Sequence, residues 1–271
     1  MQCSPEKNDG FTCFSYDQLK SIAKRYNARN ADDKIPMYRT KNKLWKEIFK
    51  RMHSVCDDEQ CWTQGNKDLL ESFRPSKPES WQENPRTWLT NFDIQDVMVQ
   101  YERKYKTFLF LGVFPSDYDE KVYMNVCVSQ ELCNLNVSNL LKTNKYQLGI
   151  VFNLDPHYLS GSHWVAVYVG ISEKYPKKFG FFYYDSNANQ PSAYVKRLYQ
   201  TFSTQLQNIT KRRFDLHVND VRHQFKNTEC GMFSMQFIIN MLNREKHFKQ
   251  IIHEQQFDDK IFKLRGVYFN D

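Results

Sequence analysis

The chain has 271 residues, 41% hydrophobic and 15% aromatic, with nine Gly and nine Pro, which excludes the fibrous and disordered classes and allows one to two domains with a sizeable core. Lys and Arg number 38 against 31 Asp and Glu, a formal charge of +7 that suits retention near nucleic acid or an acidic protein but says nothing about fold. No apolar run approaches the length needed to span a bilayer, the amino terminus lacks the apolar core of a leader, and seven cysteines are an odd number without a regular framework. The expectation is a soluble protein made in the cytosol, with reduced thiols and no membrane insertion.

In chain order, Ser15-Tyr16-Asp17-Gln18 has the form of a capping box, and Leu19, Ile22, Ala23 and Tyr26 recur behind it at helical spacing. After a polar loop, Leu44, Trp45, Ile48, Phe49 and Met52 form a second apolar stripe opposite Lys41, Lys43, Lys46, Lys50 and Arg51. A solvated helix face is the ordinary reading of such charges; contact with DNA or a core particle is the competing one. Cys56 and Cys61, with His53 nearby, have half the ligands of a zinc site or the makings of a redox pair. No second cluster with ligand spacing follows, so two ordinary thiols are expected, with no metal and no cofactor. The stretch from Phe73 to Pro85 carries three prolines among polar residues and reads as a linker. The division is placed there, with residues 1–80 as a small helical domain and 81–271 as a second domain.

Beyond the linker, Ile94, Val97, Met98, Tyr101 and Tyr105 follow a helical period, and Leu109 to Pro115 is a short apolar strand or loop. A helix closes near Asn139 to Lys142, and Tyr146 to Leu154 reads as a central strand. Gly161 to Val169 and Phe179 to Ser186 are alternating, β-branched and aromatic runs typical of strands. A helix over Ala193 to Leu206 follows Pro191, and Phe214 to Val221 alternates like a strand. The run from Met232 to Leu242 is apolar on nearly all sides and so belongs to a buried helix, with Cys230 at its first turn. The fold class is α+β, one mixed or antiparallel sheet with the Cys230 helix packed against it.

A free cysteine is most often a small buried apolar residue. At a helix N-terminus, however, unpaired N–H groups and the positive end of the dipole favour an anion, and the thiolate is the attacking species. His163 stands at the entrance of one predicted strand and Asp185 at the end of the next. The order is therefore His163, Asp185, Gln224, Cys230, and each has a place in acyl transfer.

His163-Trp164, Tyr184-Asp185-Ser186 and Gln224 ahead of Cys230-Gly231 resemble the SUMO-protease/adenovirus-protease superfamily of cysteine peptidases. Trp88-Leu89-Thr90-Asn91-Phe92-Asp93-Ile94 looks like the segment that opens its catalytic domain. Arg222-His223-Gln224, Thr228-Glu229-Cys230-Gly231 and the outlying Cys56 to Cys61 run are similar to the maturation proteases of African swine fever virus and other large DNA viruses. The resemblance implies a papain-like, SUMO-protease-like catalytic domain behind the small helical one. It implies Cys230 as nucleophile, His163 as base, Asp185 as the residue orienting the imidazole and Gln224 as oxyanion donor. The African swine fever members carry Asn at the Asp185 position, so Asn187 and Asn189 stand as alternatives. Trp164 and Trp88 are implied to flank a narrow tunnel passing only glycine, with Asn91 also among the substrate-binding residues. The expected substrates are viral structural polyproteins cut after Gly-Gly-type sites, at assembly sites in the host cytoplasm and in the virion. The alternatives are a deconjugase of SUMO-like or ubiquitin-like tails and a nucleic-acid-binding scaffold on an inactive protease fold.

Overall fold

In the computed structural model, which describes residues 3–7, 10–56, 58–243 and 246–270, the chain forms two units. One holds the residues up to Ser76 together with those from Tyr268 onward; the other is Lys77–Val267. The sequence reading leaves the whole carboxyl end in the second part. Instead, Asn270 sits in the first unit, its backbone N–H donating to Pro75 O at 2.8 Å and its side-chain amide to Arg74 O at 3.1 Å.

The first unit is built on helices α1 (Tyr16–Arg29), α2 (Lys41–Met52) and the short α3 (Lys67–Leu70). Both halves of the Ser15/Gln18 capping box are made, satisfying two donors at the start of α1. Leu19 and Ile22 of α1 and Leu44 and Ile48 of α2 close a core around Phe14, Trp62 and Phe73. Lys43, Lys46 and Lys50 of α2 face solvent, whereas Arg51 is paired with Asp33 at 2.9 Å and with Glu47.

The expectation of reduced cysteines is overturned. Disulfides join Cys3 to Cys13, Cys56 to Cys61 and Cys127 to Cys133, and Cys230 is the free cysteine. The partners are 10, 5 and 6 residues apart, and the folded backbone brings their Cα atoms to 5.0, 5.9 and 6.5 Å, the span a bridge requires. Cys56 and Cys61 are therefore neither ordinary thiols nor half of a zinc site.

The second unit opens with α4 (Asn91–Lys104), capped reciprocally by Thr90 and Asp93. It continues through β1 (Phe108–Pro115), α5 (Gln130–Cys133), α6 (Val137–Lys142), β2 (Gln147–Asn153), β3 (Trp164–Gly170), β4 (Gly180–Tyr184), α7 (Ala193–Gln207), β5 (Leu216–Val218), α8 (Cys230–Leu242), α9 (Phe248–His253) and α10 (Asp258–Lys263). The five strands form one mixed sheet in sequence order, antiparallel across β2, β3 and β4 and parallel at both outer pairs. β3 is buried along its whole length because both faces are covered. Val165, Val167 and Val169 pack in a core with Val195, Leu198, Phe202 and Leu206 of α7. The opposite face receives α8: Tyr184 stacks on Phe237 at 4.7 Å, and a Cβ on Gly149 would lie 3.1 Å from Ile238 and 2.8 Å from Phe108. That close approach is why glycine stands in the middle of β2.

The forecast strand from Phe214 to Val221 shrinks to Leu216–Val218. Beyond it the buried Asn219 bonds the backbone of Asp185 through its side chain, while its own N–H reaches Tyr183 O at 3.3 Å. Among the described residues, no helix is long and apolar enough to cross a membrane.

Candidate active site

The antiparallel pairing of Ala166 with Tyr184 places the start of β3 and the end of β4 at the same edge of the sheet. His163 precedes β3 and Asp185 follows β4, so the register alone makes them neighbours. His163 Nε2 lies 2.7 Å from Asp185 Oδ1. The carboxylate is fully buried, with the Asn187 N–H also donating to Oδ1 at 2.8 Å, and the Asp185 backbone is fixed by the Asn219 side chain, which accepts from its N–H and donates to its O, both at 2.8 Å. The Asn187 amide nitrogen stands 3.5 Å from His163 Nε2, a longer contact than that of Asp185. Asp185 is thus the imidazole's partner and Asn187 braces it, while Asn189 faces solvent.

Cys230 is the first residue of α8 and is 2% exposed. Its thiol interacts with the His163 ring, whose Nε2 is already engaged by Asp185. Burial works against a charged imidazole, but the hydrogen bonds and charges of Asp185 and Cys230 outweigh it and push His163 up to about 9. Cys230 thus stands beside this ring at the positive end of the α8 dipole.

The loop from Gln224 to Glu229 is pinned to the strand edge carrying Asp185. Ser186 O accepts from the backbone N–H of His223 at 2.8 Å and of Gln224 at 2.9 Å. Ser186 Oγ donates to Gln224 Oε1 at 2.6 Å, and Gln224 Nε2 donates to Lys226 O at 2.6 Å. These two bonds settle which end of the amide is nitrogen and leave its second hydrogen unused by either. The far side of the loop is held by Asp258 of α10, whose carboxylate accepts from Phe225 N at 2.9 Å and Lys226 N at 3.2 Å.

Trp164 is 8% exposed, and its indole Nε1 donates to Leu89 O at 3.1 Å. A Cβ on Gly231 would come within 3.2 Å of both Leu89 and Trp164, so the residue after the cysteine is hemmed in by this pair. Trp88 is 38% exposed beside Leu89, and Asn91 is the exposed first residue of α4. The structure therefore joins His163, Asp185, Asn187 and Cys230 directly, connects Gln224 through Ser186, and connects Trp164 to the Trp88 segment through Leu89. Asn219 and Asp258 escape a reading of the sequence, because nothing in their local pattern separates them from surface polar residues.

Comparison with known proteins adds an independent line. The family model described as YopJ serine/threonine acetyltransferase matches residues 70–271. A protein of Acanthamoeba polyphaga mimivirus named a thiol protease is 32% identical over 99% of this chain and 93% of its own length. A SUMO-1 cysteine protease of African swine fever virus is 26% identical over 75% of this chain and 74% of its own length. The crystal structure of the African swine fever virus protease superposes with a TM-score of 0.68 at 20% identity, covering 100% of this chain and 96% of that one, and so shares the fold.

Proposed function

We propose, for a chain that belongs to the family the YopJ model describes and to that of the mimivirus thiol protease, and that is itself a cysteine protease, a substrate of one kind: viral structural polyproteins cut after Gly-Gly or a similarly small pair during virion maturation. The observation that carries the reading is the crowding beside Cys230, where a Cβ on Gly231 would come within 3.2 Å of both Leu89 and Trp164 and push them aside by a few tenths of an ångström. A substrate backbone entering along that side meets the same two side chains, and a residue without a Cβ is the one that passes most easily.

The chemistry follows from the geometry. Cys230 Sγ attacks the scissile carbonyl, and the proton held on His163 goes to the leaving amine. Asp185, fixed by Asn187 and Asn219, keeps Nε2 oriented and supports the positive ring. The second hydrogen of Gln224 Nε2 and the backbone N–H of Cys230 stabilise the oxyanion, an arrangement in which one donor is worth about 3 to 4 kcal/mol. Water then releases the acyl group from sulfur.

The family model's description favours one further reading: an acetyltransferase hands the same kind of enzyme-bound acyl group to a hydroxyl rather than to water. The name of the African swine fever relative favours another, removal of SUMO-like tails. Peptide-library cleavage by the purified protein and its Cys230→Ala variant, read by mass spectrometry, separates them. Cuts after Gly-Gly or Ala-Gly that vanish in the variant are expected. Acylated serine or threonine without cuts, or cleavage confined to folded ubiquitin-like substrates, would replace the polyprotein reading.

The place of action follows the substrate, host-cell assembly sites and the virion. The exposed Lys43, Lys46 and Lys50 of α2 supply a face for DNA or a core particle. Binding that weakens steeply with salt and survives Cys230→Ala is the expected signature.

A further inference from the structure

Arg265 follows α10, is 4% exposed, and spreads its guanidinium over two segments distant in sequence. Nε donates to Glu229 Oε2 at 2.9 Å and Nη2 to Thr228 O at 3.4 Å. Nη1 donates to Pro85 O at 3.0 Å and Thr87 O at 2.8 Å. Glu229, fully buried, immediately precedes Cys230, and Thr87 immediately precedes Trp88. The other flank of Trp88 is tied down as well, because Leu89 O accepts from Trp164, the residue after His163. The carbonyls of both residues flanking Trp88 are thus held by side chains that also touch the nucleophile's segment or belong to the base's strand. The guanidinium is seated on the Trp81 ring at 4.3 Å, which fixes the plane of the fork.

A buried ion pair contributes little net stability compared with apolar residues of the same size, so its retention is better explained by the geometry it enforces. Lysine could neutralise Glu229, but it has no planar fork with which to reach Thr228, Pro85 and Thr87 together. We infer that Arg265 is a positioning residue that, through Glu229, holds the Pro85-to-Leu89 segment at a set height over Cys230 and so sets the size of residue admitted beside the scissile bond. The inference rests on the small-residue reading above and names the residue pair that enforces it.

The test uses the full chain, the variants Arg265→Lys and Glu229→Gln, and matched peptides carrying Gly-Gly or Ala-Ala before the cut. In Arg265→Lys the preference for Gly-Gly, as a ratio of kcat/KM values, is expected to fall by about tenfold or more, mainly through a higher KM for the Gly-Gly peptide. Alkylation of Cys230 by iodoacetamide stays within about twofold of the parent, because the His163–Asp185 pair is untouched. Glu229→Gln, which keeps an acceptor for Arg265, gives a smaller change in the same direction. If Arg265→Lys does not accumulate as folded protein, Glu229→Gln decides in the same assay.

A double-mutant cycle with Trp88→Ala, run on the best substrate found by library profiling, is expected to show less than multiplicative losses, since both changes remove one device. An unchanged preference in both variants, alkylation and turnover falling in parallel, or losses that simply multiply would each overturn the inference. A parent enzyme that cuts Ala-Ala as well as Gly-Gly would instead sink the small-residue reading, and the clamp would then stand or fall on the double-mutant cycle alone.

Discussion

Two histidines are held against neighbouring residues at the end of β4, His163 by Asp185 and His223 by Tyr184, and their surroundings set them opposite tasks. His163, with its side chain 13% exposed, faces a buried carboxylate and a thiol and is pushed up to about 9 even though burial opposes the charge. His223, 3% exposed, accepts from the Tyr184 hydroxyl at 2.7 Å on Nδ1 and donates from Nε2 to Ile252 O at 2.9 Å. Both of its partners are neutral, so burial dominates and holds it below the ordinary imidazole value. Burial acts in the same direction on both rings. What separates a proton carrier from a structural pin is whether a charged partner is buried with it.

The sharpest break in that comparison is His163→Ala, expected to lower kcat/KM by about 10⁴ or more and, below the alkaline limb, to lower the melting temperature as well. Steady-state cleavage and calorimetry on one preparation check both halves. Gln224→Ala comes next, at about 10²- to 10³-fold in kcat, since it removes an oxyanion donor and leaves the dyad intact. Ser186→Ala should reproduce part of that loss, because it frees the Gln224 amide to rotate; an unchanged kcat would show that Lys226 O alone orients the amide.

Asp185→Asn tests the electrostatics directly. In the parent the alkaline limb of the kcat/KM profile is expected near pH 9, where His163 loses its proton, and the variant's limb moves toward neutrality. Each unit of that shift corresponds to about a tenfold change in the protonation equilibrium.

The smallest effects are on stability, where the two rings have opposite signs. His163, raised in the folded state, contributes stability that is fully present below its unfolded value of about 6.5 and is lost as pH rises through about 9. His223, lowered in the folded state, contributes stability present above its unfolded value and lost as pH falls. Melting temperature against pH should therefore lose its alkaline slope in His163→Gln and its acid slope in His223→Phe. The second variant also costs about 1 to 3 kcal/mol, because the buried Tyr184 hydroxyl loses its acceptor.

Much of the centre was legible in the chain. Helical and alternating periods marked α1, α2, α4, α7, α8 and the strands bearing His163 and Asp185, because each buries one face or two and local pattern records burial. The Cys230 helix announced itself by being apolar all round, and its cysteine by standing at the first turn.

The short C-terminal helices α9 and α10 were not legible, since six residues hold too few turns to show a period. The disulfides were missed because composition and compartment argued for thiols, whereas pairing depends on Cα atoms that folding brings to 5.0–6.5 Å. Asn219 and Arg265 look in the sequence like any other polar residues. The linear order of residues was enough to specify the reacting groups and the elements carrying them, because helix and strand periods and side-chain chemistry are local. Which polar groups steady those reacting groups was settled only when β4, the Gln224 loop and the segment after α10 met in space, because a hydrogen bond between residues 33 to 180 positions apart leaves no trace in either one's neighbourhood.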